Sequence, residues 1–130
     1  MRKDEVAHGA RGRVIVIDSI TQLADADAGA VVVAGSHGGT SSGEFALAVP
    51  LRAVFFNDAG VGKDGAGIAA LAMVQGRGIA GAAVAHDSAR IGDALDAWQH
   101  GVVSHVNDAA HALGVRIGQT VQAAARELLG

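Results

Sequence analysis

The chain has 130 residues, half of them hydrophobic, with no cysteine and a formal net charge of −3. The lack of cysteine excludes disulfides and thiolate chemistry, the absence of a large basic block argues against a nucleic-acid partner, and no run approaches the roughly 20 apolar residues of a membrane span. One well-buried core is expected at this length, and because the apolar residues are chiefly Ala and Val, with aromatics at 3%, self-association into a homo-oligomer is expected to complete the burial.

Residues 1–12 are polar and hold no apolar stretch of signal-peptide length, so they read as a flexible N-terminal arm of a cytoplasmic protein. Arg13–Asp18 (RVIVID) is a β-branched run of the kind that forms a buried strand. Ser19–Gly29 is polar, with room for a helical turn or two. Ala30–Ala34 (AVVVA) predicts a second buried strand, ended by the turn Gly35–Gly39. Thr40, Ser41 and Ser42 offer caps to a short helix through Ala48, which Pro50 stops. Ala53–Phe56 predicts a third strand. Asp64 can cap the helix that carries Ile68, Leu71 and Ala72 to about Arg77, with Gly78 just beyond its end. Ile79–Ala85 predicts a fourth strand. Ser88 then starts an apolar stripe through Ile91, Leu95, Trp98, Val102, Val106, Ala109 and Leu113, which reads as one long helix or as two broken near Gly101. Val121, Ala124, Ala125 and Leu128 mark a last amphipathic helix.

Apolar strands alternating with helices predict an α/β fold: one three-layer α/β/α domain over residues 13–130, with a mainly parallel sheet of about four strands and a helical C-terminal third. In such a sheet the strand C-termini share one edge, and ligands bind there near a switch in strand order. The polar side chains of this chain collect after its strands. Ser36, His37, Gly38, Gly39, Thr40, Ser41 and Ser42 follow the second, Asn57, Asp58 and Lys63 the third, and His86, Ser88 and Arg90 the fourth.

Glycines that expose backbone N–H groups, three hydroxyls and a helix N-terminus suit an oxyanion. Tight-turn and capping roles account for part of that string, but not all of it. Gly62-Lys63 resembles a phosphate loop only superficially, because Asn57 stands where the first glycine belongs and Asp64 replaces the hydroxyl residue. Lys63 is therefore read as an anion clamp or an amine base, against the alternative of a loop lysine paired to Asp58 or Asp64. His37 and His86 are candidate general bases with Asp58 as orienter. Asp18 is read in the same way or as a partner of loop amides. Arg90, placed in the first turn of a helix, is a candidate carboxylate clamp. A metal held by the two histidines with Asp58 or Asp87 matches no recognised spacing, and no cofactor is expected. The string around Ser36 lacks a glycine needed for a nucleophile elbow.

The expectation is a small cytoplasmic enzyme that acts on a compact anionic, carboxylate-type metabolite by acid/base chemistry, as a hydrolase or lyase. Its site is expected at the C-terminal edge of the sheet. The alternative is a non-catalytic small-molecule-binding domain or accessory subunit of a larger enzyme.

Overall fold

A computed structural model describes residues 1–130. Its sheet has six strands in the order β1-β2-β3-β4-β5-β6: β1 Lys3–Gly9, β2 Gly12–Ile17, β3 Val31–His37, β4 Ala53–Asn57, β5 Ala80–Val84 and β6 Val103–Val106. Strands β2 to β5 are parallel, whereas β1 and β6 run antiparallel at the two edges. The helices are α1 Thr40–Leu47, α2 Ala69–Gln75, α3 Ala94–His100, α4 Asp108–Ala112 and α5 Val121–Leu129. The four expected strands are present, but the sheet is mixed and wider than the expected four parallel strands. No helix is long and apolar enough to cross a membrane.

The period-two geometry of the strands divides their side chains between two cores. Val14, Val16, Val31, Val33 and Phe55 pack on one face with Ala94 and Ala97 of α3 and Val121, Ala125 and Leu128 of α5. Ile15, Ile17, Val32, Val54 and Phe56 pack on the other with Ala46 of α1 and Ala70, Leu71 and Val74 of α2. Both phenylalanines are fully buried, and each contributes roughly 1.5–3 kcal/mol of hydrophobic stabilisation.

Strand order explains this layering. The parallel strands follow one another in chain order, so successive right-handed crossovers advance the same way and put α1 and α2 on one face. The order never reverses. The expected crevice at a switch point is therefore absent, and the C-terminal edge is bounded only by its loops.

Residues expected as a free arm instead form β1, which turns tightly into β2 at Gly9–Gly12. Their polarity misled because β1 is an exposed edge strand with only Val6 and Ala7 half-buried. Charge pins it down. The buried Asp27 carboxylate accepts from Lys3 Nζ at 2.9 Å and lies 3.6 Å from Arg13. Burial pushes the Asp27 carboxyl up, but donation by Lys3 and the Ala24 N–H, with the charges of Lys3 and Arg13, holds it below its ordinary value. A depressed carboxyl stabilises the fold above its unfolded pKa, and that stability is lost as pH falls through the folded value. Asp27→Asn is expected to cost about 1–2 kcal/mol at pH 7 and to flatten the acid limb. Urea denaturation at neutral and acid pH checks both.

The expected helix after Ser88 and the helical C-terminal third are also revised. Residues 85–93 form turns, α3 starts only at Ala94, and Gly101 ends it in an extended conformation. A Cβ at Gly101 would collide with Ala97 O of α3 and lie 2.8 Å from Val84 of β5. Only glycine therefore fits at the point where the chain leaves the helix. Val102 and Val103, β-branched and beyond that glycine, suit an extended chain, and β6 forms where the stripe predicted helix.

Candidate functional site

Four parallel strands ending at one edge bring the β3–α1 and β4–α2 loops side by side. Gly38 makes this contact close. Its N–H donates to Asn57 O at 3.1 Å, its carbonyl accepts from Ala70 N–H, and a Cβ would lie 2.8 Å from Gly67 O. Between the loops lies an open cavity of about 440 Å³, walled by His37, Gly39, Thr40 and Ser41 on one side and by Ala59, Val61 and Gly62 on the other. The N-cap of α1 is Gly39, and no side chain caps the helix. Thr40 and Ser41 are thus not the caps they were expected to be. They are exposed on the cavity wall beside the first-turn amides, where the helix dipole is positive.

The second wall has an unusual backbone. Ala59, Val61 and Asp64 have φ of 52°, 66° and 56°, with Gly60 and Gly62 between them and Gly65 just after them also positive. The left-handed region is unfavourable for Val above all, and such strain persists only where surrounding bonds hold it. Here Val61 N–H donates to Asp58 O at 2.7 Å and Gly67 N–H to Val61 O at 2.6 Å. The turn closes upon Asp58.

Asp58 is buried. Its Oδ1 accepts from Gly60 N–H at 2.8 Å and from His86 N–H at 3.1 Å, and it lies 3.1 Å from His86 Nδ1. Its Oδ2 accepts from the Ser104 hydroxyl at 2.7 Å. Burial raises the carboxyl pKa, but the Gly60, Ser104 and His86 hydrogen bonds outweigh it, so the pKa is lowered. An ionised carboxylate only accepts, so His86 Nδ1 carries the proton and Nε2 of the neutral ring is left as a base. The imidazole is 59% exposed, so that nitrogen meets solvent or a ligand. His86 does not line the cavity; its ring lies about 3.8 Å from the Cβ position of Gly60, which stands in sequence between the cavity-lining Ala59 and Val61.

The other expected site residues are dispersed. His37 is exposed in the cavity wall, with its ring over Gly39. Ser36 is engaged by Ile20 N–H. Asn57 is buried and spent on Ala89 O and Ala59 N–H. Ser88 donates to Ala85 O and accepts from Val102 N–H, and it is a turn brace rather than a helix cap. Gly38 and Ser42 are buried and do not wall the cavity. Lys63 is exposed at the start of a 3-10 turn, away from the cavity lining, and pairs with neither Asp58 nor Asp64. Arg90 precedes α3 instead of opening a helix. It lies with Arg2, Asp18 and Asp93 in a separate polar cleft, where Asp18 accepts from Arg2 and Ala94 N–H. No group of three or more His, Cys, Asp or Glu side chains is arranged to hold a metal ion.

Ser104 and His105 fall in the stretch expected to be helical, where His105 would face solvent or a subunit interface, and neither was among the expected site residues. The available signal was Val-Val-Ser-His-Val following a glycine, a β-prone string. No protein-family model, no curated protein and no solved structure matches this chain.

Proposed function

We propose that the protein is a small enzyme that moves a proton on a compact anionic metabolite of the carboxylate type, through His86 oriented by Asp58. The observation that carries this reading is the buried, ionised Asp58 accepting from Nδ1 of a half-exposed histidine. This arrangement fixes one tautomer, directs Nε2 outward as general base and supports the imidazolium that forms. The uncapped first turn of α1, with Thr40 and Ser41, supplies neutral donors for the anion. Ala59 lines the cavity, Gly60 next to it lies beside the His86 ring, and neither carries a side chain beyond Cβ, so a substrate anchored in the cavity has an unobstructed course towards Nε2. Hydrolysis and elimination both require such a base and anion holder. Ser104 is no nucleophile in this reading, since its hydroxyl proton goes to Asp58.

The test pairs binding with turnover. Short carboxylic acids, their esters and their 2-hydroxy derivatives are titrated against the protein by amide NMR and screened for conversion, with wild type and His86→Ala. Shifts at Gly39 to Ser41 in both proteins, with conversion in wild type alone, support the enzyme. Binding with no conversion of any compound by wild type supports the alternative of a binding domain or accessory subunit. No shift at α1 overturns both.

A further inference from the structure

The pairing of β5 with β6 contains an irregularity beside Asp58. Ala83 pairs with His105, but Val84 pairs with Val103, so Ser104 is the extra residue of a β-bulge. A bulge breaks the alternation of the strand and re-aims a side chain. Here it turns Ser104 Oγ onto Asp58 Oδ2 at 2.7 Å while leaving it 3.0 Å from His105 Nδ1 and 3.4 Å from Ala83 O.

The donors and acceptors can be balanced. Oδ1 of Asp58 already has Gly60 N–H, His86 N–H and His86 Nδ1, whereas Oδ2 has Ser104 alone. A hydroxyl has one proton and two lone pairs. Three groups compete to accept that proton: Asp58 Oδ2, Ala83 O and, in one tautomer, His105 Nδ1. If His105 Nδ1 carries its own hydrogen it donates to Ser104 Oγ and reinforces donation of the hydroxyl proton to the carboxylate, whereas the other tautomer would set two lone pairs against each other at 3.0 Å.

We infer that Ser104 is a positioning residue of the Asp58–His86 pair, and that His105 locks it in place by donating its Nδ1–H to the Ser104 oxygen. The chain of bonds then runs from His105 to Ser104 to Asp58, with His86 on the far oxygen. Two points on the carboxylate are held, so its plane cannot turn away from His86. The ionisable groups facing Asp58 are His86 beyond β5 and, through Ser104, His105 on β6. His105 itself lines a groove with Asp108 and Gln75. The inference rests on the proposed role of His86, but its test does not need turnover.

The experiment follows the Asp58 carboxyl by carbon NMR and the histidine tautomers by nitrogen NMR in the full chain. Neutral His105 in wild type is expected to be protonated at Nδ1, a result that requires no variant. In Ser104→Ala, Asp58 is expected to titrate at higher pH than in wild type. Ser104→Thr restores the wild-type midpoint. His105→Ala, which removes the donor that polarises the hydroxyl, moves Asp58 in the same direction by a smaller amount. His105→Asn, whose amide replaces the Nδ1 donor, leaves it near wild type. If a converted substrate is in hand, Ser104→Ala reduces turnover about tenfold, the worth of one hydrogen bond to a charged group. A wild-type His105 protonated only at Nε2, or an Asp58 midpoint unmoved in Ser104→Ala, overturns the inference. If these NMR results hold while His86→Ala leaves turnover intact, the positioning chain stands and the catalytic reading of His86 falls.

Discussion

Asp58→Asn is expected to remove the charge behind the His86 ring and to reduce turnover by about a hundred- to ten-thousandfold, the range for losing general-base catalysis. The asparagine oxygen can still accept from Gly60 N–H, and the Ser104 hydroxyl can turn to accept from the new amide. The fold should therefore survive. What disappears is the charge that supports the imidazolium. Neutral wild-type His86 should show Nδ1–H alone by nitrogen NMR, and the asparagine oxygen, which stays opposite Nδ1, should keep that form in the variant. A wild-type ring already mixed would remove the basis for His86 as an oriented base. Unchanged turnover in a well-folded Asp58→Asn would do the same to the acid/base reading.

Gly67→Ala is expected to destabilise the protein by about 2–4 kcal/mol, the scale of overpacking against atoms that cannot yield. Its Cβ would press on Asp58 O and lie 3.0 Å from Val61 O, both of them backbone atoms. The added carbon must therefore move the turn that carries Asp58. Gly65→Ala is the comparison. Gly65 has φ of 70° but meets nothing nearer than Ile68 at 3.9 Å. Only the left-handed backbone is penalised there, at roughly 1 kcal/mol. Urea midpoints of the two variants should differ accordingly, and the His86 tautomer should be disturbed in Gly67→Ala alone. Equal costs would mean that the Val61–Gly67 turn does not close on Asp58 as described.

The legible parts of this molecule were those that local pattern decides. The runs RVIVI, AVVVA and AVFF, and the run after Ile79, carry enough Val, Ile, Phe and Ala to be strands buried on both faces, whatever lies beside them. Their polar continuations could therefore be placed at one edge. Misreadings arose where pattern is shared between structures. Val102, Val106 and Ala109 satisfy one helical stripe as well as the entry to β6, its last residue and α4, and the choice is made by long-range packing, which at Gly101 leaves room for glycine alone beside Ala97 and Val84. Charged residues in Lys3–Gly9 look like a solvated arm because an edge strand buries so little.

From the sequence alone came the parallel α/β character, the shared edge and a short set of residues that included Asp58 and His86. Tertiary structure alone decided that these two meet, that Lys63 and Arg90 stand apart from them, and that Ser104 and His105 complete the cluster. The reason is separation along the chain. Asp58 meets His86 across 28 residues and Ser104 across 46, distances that hydrophobic periodicity does not span but that the pairing of β4, β5 and the bulged β6 closes.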